Sequence, residues 1–576
     1  RVYHQRHIKK NIESDMGFNE MIDRMNERVG RSFIGRFFQF EERKALFSKE
    51  FKGATTAFLA SSYILAINPK ILSDSGGPCV PPAEEGIFSS EYEDCMFEVK
   101  KQYVTATAIA SMVGCFLMGV MANYPILLSC GMGMNAYLTY SVVGWRGTGN
   151  ISWSAAVTAV LIEGFIFAFL AVTGIRWAII KLVPEPVRVA TPAGIGAFLA
   201  HLGLQTAEGL GIVVGDIATA VTLGGCPPDK RTPLVAYDEA CQGEDHICVT
   251  SDNYTCDVKG GIMTSATMWL GLFGLFITAL LLSYRNKSAF LLAIGMITIV
   301  SWFRNTPVTY FPDTVDGNAR FDYFSNVVSI EPLYLIFAKY TSKLSEVAAP
   351  LLTFLYADFL DTSGTLFAII SQLGYVDEKG DFPRSRWAFT ADALATAFGS
   401  LFGLSPVTSF IESAAGVEAG ARTGLAAVFC GLFFFLSIFF APLLANIPPW
   451  ATGGCLIMVG ALMCKSLKDV KWDDPTHALT AFLTVILMPL TYSIAYGLIG
   501  GLMFWIALQV AFKLLALVGI ERYEPTEVEE SAPDEDVELK KMETTDTISS
   551  KISKDKDKEE AKKEAADVRI TIPVPK

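Results

Sequence analysis

The stretch LLTFLYADFLDTSGTLFAII, residues 351–370, decides the class of this protein. About twenty apolar residues cross the hydrocarbon core of a bilayer, and this run is long enough. Yet Asp358 and Asp361 stand in its middle. An ionisable side chain at membrane depth costs roughly 2.5–3.5 kcal/mol on insertion scales, so a chain keeps one there where it faces a cavity or a partner. Thr362, Ser363, Gly364 and Thr365 follow Asp361, surrounding it with small and hydroxylated residues. Glu412 has a similar setting in FGLSPVTSFIESAAG, residues 402–416. Two such acids imply ion-coupled movement of a solute, with these residues at its centre.

The rest of the chain supports a membrane reading. Of its 576 residues 51% are hydrophobic and 18% charged, whereas about 25% charged is usual for a soluble domain. Apolar runs of spanning length begin near Gly53, Tyr103, Pro125, Trp153, Thr191, Met263 and Ser288, and again near Val347, Trp387, Leu404, Gly424, Trp450, His477 and Leu498. The expected fold is all-α integral membrane, with about 14 transmembrane helices in two sets of seven. The third run of each set, PILLSCGMGMNAYLTY (125–140) and GLSPVTSFIESAAG (403–416), is interrupted by Gly, Pro or Ser. Paired breaks at corresponding positions of two halves point to a transporter binding site. The plainer alternative is that small residues let helices pack closely. The net charge of −12 is spread over the tail and the hydrophilic loops. With no basic stripe, a nucleic-acid partner is not expected.

Lys and Arg placement sets the expected orientation. Arg176, Lys181, Arg188, Arg285, Lys287, Lys379, Arg384, Arg386, Lys465, Lys468 and Lys471 fall in loops on the same side as both termini, which should be cytosolic. The opposite loops hold Cys79, Cys95, Cys226, Cys241, Cys248 and Cys256, and two sequons, at Asn150 and Asn253. These are candidates for disulfides on an oxidising face and for glycosylation. The pairing is not readable from sequence, and zinc at the 226–256 group is the alternative. Residues 1–50 read as a cytosolic N-terminal segment, amphipathic from Ser14 to Glu50, and 519–576 as a disordered cytosolic tail.

Positions three apart share a helix face, so Asp358 and Asp361 could look into one cavity. A carboxyl there can carry a proton and also bond a ligand. The alternative for Asp358 is a structural acid bonded within its own helix bundle. Glu412 follows the break at Pro406 and could accept from a ring N–H. The hydroxyls of Ser405, Thr408 and Ser409 would either orient a ligand or cap the helix that follows. Asn135, at the end of GMGMN (131–135), offers a donor and an acceptor to a heterocycle edge, or serves as glue between helices. Gly131 and Gly133 allow close approach of backbone. Glu163, Asp392 and His201 are weaker candidates. There is no paired-His metal motif, nucleophile elbow or phosphate loop, so neither a metal nor an enzymatic activity is expected.

At these residues the chain resembles the AzgA-like purine permeases, a branch of the nucleobase–cation symporters related to the nucleobase–ascorbate transporters. The matching stretches are FKGATTAFLASSYILAINPKILSDSGG (51–77), GMGMNAY (131–137), SWFRNT (301–306), FLDTSGTLF (359–367), SPVTSFIESAAGVEAGARTG (405–424) and ILMPLTYSIAYGLIGGL (486–502). The resemblance implies a 7+7 inverted repeat with short extended segments in spans 3 and 10. It implies a core domain at 51–175 (spans 1–4) and 347–446 (spans 8–11). A gate domain follows at 176–306 (spans 5–7) and 447–518 (spans 12–14), with an extracellular loop at 307–346. It implies proton-coupled import of hypoxanthine, adenine and guanine across the plasma membrane by an elevator movement, without a cofactor other than the coupling protons. Substrate binding would fall to Asn135, Gly133, Asp361, Glu412, Thr408 and Ser409, and proton coupling to Asp361, Glu412 and Asp358. A homodimer is implied by resemblance only.

Overall fold

The structure, a computed structural model, describes residues 20–80, 89–175, 183–205, 209–216, 220–227, 230–233, 254–256, 261–377 and 381–518. Most of these residues are helical. The first apolar run forms two helices, α1 (Phe47–Ser61) and α2 (Ile64–Ser73), broken at Ser62–Tyr63. Then come α3 (Ser90–Leu117), the strand β1 (Leu128–Cys130), the five-residue α4 (Met132–Ala136), α5 (Trp153–Thr173), α6 (Glu185–Leu204), α7 (Ala266–Ser283), α8 (Ala289–Ser301) and α9 (Val315–Ser325). The second part holds α10 (Leu344–Leu373), α11 (Ser385–Ser400), β2 (Val407–Ser409), the six-residue α12 (Ser413–Glu418) and α13 (Gly424–Ser437). It ends with α14 (Pro449–Met463), α15 (Pro475–Leu490) and α16 (Ile494–Leu517).

Local chemistry fixes several of these boundaries. The Ser89 hydroxyl accepts from Tyr92 N and starts α3, and Ser152 accepts from Ala155 N and starts α5. Each satisfies one amide that the first helical turn leaves without a partner. Helix α10 stops at Gly374, whose φ of +74° suits a residue without a Cβ.

Six helical segments among the described residues have the length and apolarity to cross a membrane, and three shorter apolar helices accompany them. Their outward faces are studded with large apolar side chains such as Phe165, Phe169, Phe276, Ile299, Phe482 and Met503. That is the surface a bilayer covers. Inside the bundle, small residues set the packing. Helices α6 and α14 cross at Gly196 and Gly460, where a Cβ on Gly196 would meet the Gly460 carbonyl oxygen at 2.6 Å. Helices α5 and α11 touch at Gly164, where a Cβ would lie 2.7 Å from Ala397 N. Between lipid-facing helices there is no water to expel, so such close backbone contact does much of the holding.

Both interrupted runs contain an extended piece, as the family resemblance implies. β1 and β2 pair antiparallel, with Leu128 opposite Ser409, Ser129 opposite Thr408 and Cys130 opposite Val407. All six residues are buried. The loops hold two further strand pairs, Val213–Asp216 with Ala220–Leu223 and Arg231–Pro233 with Tyr254–Cys256. Disulfides join Cys79 to Cys95 and Cys226 to Cys256, so the zinc alternative loses two of its ligands. Cys241, Cys248, Asn253, Arg176, Lys181, Lys379 and the 519–576 tail lie outside the described residues, as do residues 1–19 of the N-terminal segment. Asn150 is exposed in a loop, as a glycosylation acceptor would be.

Candidate functional site

The site is built where two broken runs meet. Backbone polar groups in a bilayer must find partners inside the protein, and the short ladder supplies them. Gly131 N donates to Pro406 O at 3.0 Å, Phe410 N to Leu127 O at 3.0 Å, and Leu127 N to the Ser413 hydroxyl at 3.0 Å. A Cβ on Gly131 would stand 2.9 Å from Thr408 Cγ2, so the strands approach this closely because residue 131 is a glycine. Two short helices leave the ladder: α4, preceded by Gly131, and α12, preceded by Glu412.

Glu412 is half-buried, and its Oε1 accepts from the Tyr63 hydroxyl at 2.6 Å. Tyr63 sits between α1 and α2, and its hydroxyl reaches Glu412 at the strand–helix junction. Asp361 of α10, also half-buried, is close enough to Glu412 for their charges to interact. The other end of α12 is held from the α7–α8 connection. Lys287 Nζ donates to Ala415 O at 3.0 Å and pairs with Glu418 at 3.2 Å.

Asp358, one turn before Asp361 and close enough for their charges to interact, also has neighbours that Asp361 lacks. It has no exposed surface, and neither do Glu163 of α5 and Asp392 of α11. The Thr362 hydroxyl lies 2.9 Å from Asp392 Oδ2, 3.3 Å from Asp358 Oδ1 and 2.7 Å from Thr408 Oγ1. Glu163 lies against Asp358, and neither of its carboxylate oxygens has a hydrogen-bond donor among the described residues. Three acids thus gather behind β2, joined to the strand through Thr362 and Thr408. Because an ionised carboxylate only accepts, Glu163 and Asp358 can bond one another only around a shared proton.

Asn135 is fully buried, and its amide is engaged on both sides. It donates to Asn68 Oδ1 and accepts from the Ser405 hydroxyl. The smallness of Gly133 serves packing against α6, since a Cβ there would lie 2.5 Å from Ile195 Cγ2. None of Ser405, Thr408 and Ser409 caps α12. Ser409 Oγ is buried with no partner among the described residues. His201 bonds Gln205 on its own helix and stacks edge-on against Tyr492, apart from the acids. The structure therefore brings Asp361, Glu412, Thr408, Ser409 and Asn135 around one ladder and sets Asp358 behind it. Tyr63 and Asn68 escape sequence reasoning, and Thr362 is legible only as a hydroxyl beside Asp361, not as the link to Asp392 and Thr408. The signal available for Asn68 is a polar residue before Pro69 inside an apolar run; a tyrosine in such a run is too common to stand out.

The family Xan_ur_permease, described as Permease family, matches residues 86–224 and 251–500. The chain is 41% identical over 508 residues to the efflux pump notK' of Aspergillus versicolor, covering 85% of each. It is also 41% identical to a putative xanthine/uracil permease of Schizosaccharomyces pombe, covering 82% of this chain and 75% of that one. It is 34% identical to the guanine/hypoxanthine permease PbuG of Bacillus subtilis, covering 81% of this chain and 92% of PbuG. With this match over most of its length, and with spanning helices around a paired break, the chain is a multi-pass membrane transporter of the xanthine/uracil permease family, not an enzyme.

Proposed function

We propose that this protein carries purine nucleobases (hypoxanthine, adenine and guanine) into the cell across the plasma membrane together with protons. The observation that carries the reading is Glu412 at the strand–helix junction beside β2, held by Tyr63 and facing Asp361. A neutral purine offers ring N–H donors to these carboxylates, and the ladder edge with Ser409 offers groups for its carbonyl or ring nitrogens. The names of the permease relatives support a nucleobase as cargo. In this reading α1–α5 and α10–α13 form a core that moves with its substrate, and α6–α8 and α14–α16 form the gate it moves against. Both termini are cytosolic, following the basic loops, and a homodimer would anchor the gate. Asp361, Glu412 and Asp358 are the groups whose protonation would be linked to that movement.

The test is uptake of radiolabelled hypoxanthine in cells lacking their own purine carriers, with and without a protonophore. Accumulation that collapses with the protonophore supports the proposal. Mere equilibration would leave a facilitator. Protonophore-sensitive net loss of preloaded label, in exchange for entering protons, would reverse the direction, which the name of the Aspergillus versicolor relative makes worth measuring. Competition by unlabelled adenine, guanine, xanthine and uracil then sets the range of cargo.

A further inference from the structure

Away from the ladder, two contiguous cavities of about 120 and 520 Å³ open among the end of α2, the start of α3, α9 and the segment before it. None of their lining residues comes from β1, β2, α4 or α12. Both are lined by Lys70, Asp74, Glu93, Tyr310 and Arg320, and Lys100 enters the smaller one. The Cys79–Cys95 disulfide closes onto α3 beside them, which fits an oxidising face.

The charges here do not cancel. Asp74 is taken by Lys70 at 2.7 Å, and Glu93 by Arg146. Asp94 is exposed at the rim. Arg231 lines only the larger cavity and bonds Cys226 O. Lys100 and Arg320 have no carboxylate within 4 Å among the described residues. Lys100 is only 7% exposed, and its ammonium meets the Tyr310 hydroxyl at 3.3 Å. The Arg320 guanidinium lies over the same ring, 5.1 Å from its centre. Burial pushes the Tyr310 phenol up, but Lys100 and Arg320 outweigh it and bring it down to about 8. Two cations thus share one phenol. A buried ammonium is stable only with a partner of opposite charge or a full set of acceptors, and a single phenol oxygen is neither.

We infer that the cavity at Lys100, Arg320 and Tyr310 binds a small inorganic anion, a halide or an oxyanion such as phosphate. The ammonium and the guanidinium supply charge-assisted donors, and the Tyr310 hydroxyl can turn its proton to the same ion. The site is separate from the one that would read a neutral purine, and it does not depend on the cargo.

The full chain, purified in detergent, is heated in sodium gluconate at neutral pH, with sodium chloride or sodium phosphate exchanged in at constant ionic strength. The melting midpoint should climb saturably with one of these probes, and the probe that acts identifies the ion. Lys100→Met and Arg320→Gln should each raise the half-saturating concentration by about tenfold or more, the effect of losing one bond to a charged group. Lys100→Arg should keep the saturable rise. No saturable rise with either probe overturns the inference, as does an unaltered response in both charge-removing variants. Arg320 is half-exposed, so Arg320→Gln decides the matter where Lys100→Met does not fold.

Discussion

Two groups of carboxylates lie within a few residues of the same ladder, and they differ in what surrounds them. Asp361 and Glu412 are half-buried, and the bond from Tyr63 leaves Glu412 with free acceptor capacity. Glu163, Asp358 and Asp392 have no exposed surface and are walled in by α5, α10 and α11. Chemically the two groups are alike. Access separates them: the first group has some exposed surface and the second has none. The hydroxyl pair Thr362–Thr408, at 2.7 Å, joins the second group to β2. A ligand bound at the ladder could therefore influence the buried acids through one strand residue. Substitutions can break this division of labour or sharpen it.

The largest effect is expected from Glu412→Ala. It removes the proposed acceptor for a purine N–H and strands the Tyr63 hydroxyl. A bond to a charged group contributes about 1.5–3 kcal/mol, so apparent affinity for hypoxanthine should fall roughly tenfold to a hundredfold. Competition binding on membranes reads this directly, and native affinity in Glu412→Ala would falsify its place in the site. Asp361→Asn comes next. The amide keeps the shape of the side chain but cannot take up or release a proton in the carboxyl range. Labelled purine should still enter, while its accumulation against a gradient drops several-fold. Full protonophore-sensitive accumulation in Asp361→Asn would move the coupling role to the buried group.

The division itself was only partly legible in the sequence. Acids inside apolar runs announce themselves by their cost, and Pro406 and the Gly131–Gly133 pair mark the breaks that became β1 and β2. The three-residue spacing of Asp358 and Asp361 points to a shared cavity. Residues three apart on an α-helix still differ by about 60° around its axis. On α10 that offset gives Asp358 the neighbours Asp392 and Glu163 and Asp361 the neighbour Glu412, while the two aspartates still lie close enough for their charges to interact. The partners come from α5, α11 and the Tyr63 break, which no local period reveals. That break has neither Gly nor Pro at Ser62–Tyr63, so the first run reads as one helix. The Cys79–Cys95 and Cys226–Cys256 pairings are likewise tertiary facts, because spacing alone allows several connectivities.

Thr362→Val tests the link between the groups. The substitution keeps the branched shape and removes a hydroxyl that lies within reach of Asp358, Asp392 and Thr408. Losing a buried donor beside two carboxyls should cost about 1–3 kcal/mol, seen as a lower melting midpoint in detergent. Accumulation should weaken by less than in Asp361→Asn, and apparent affinity should change little. A loss of affinity as large as that of Glu412→Ala would mean that Thr362 meets the ligand itself, and the two groups would then be one site.

The smallest effect, and the sharpest comparison, is expected from Glu163→Gln. Glu163 has no donor for either oxygen among the described residues, and it presses a carboxyl against Asp358. A glutamine amide supplies two N–H donors in the same volume, so Asp358 gains a permanent partner where it had one only through a shared proton. The melting midpoint should hold or rise, since an ionisable side chain is removed from membrane depth. Apparent affinity should be unchanged, and accumulation should stay within about threefold of the native value, the equivalent of well under 1 kcal/mol. The same substitution at Glu412 should lower affinity without stabilising the protein, because Glu412 already has a donor in Tyr63. If Glu163→Gln lowered the midpoint as much as Thr362→Val, the buried acids would be ionised and held by partners from another direction, and the contrast with Asp361 and Glu412 would rest on exposure alone.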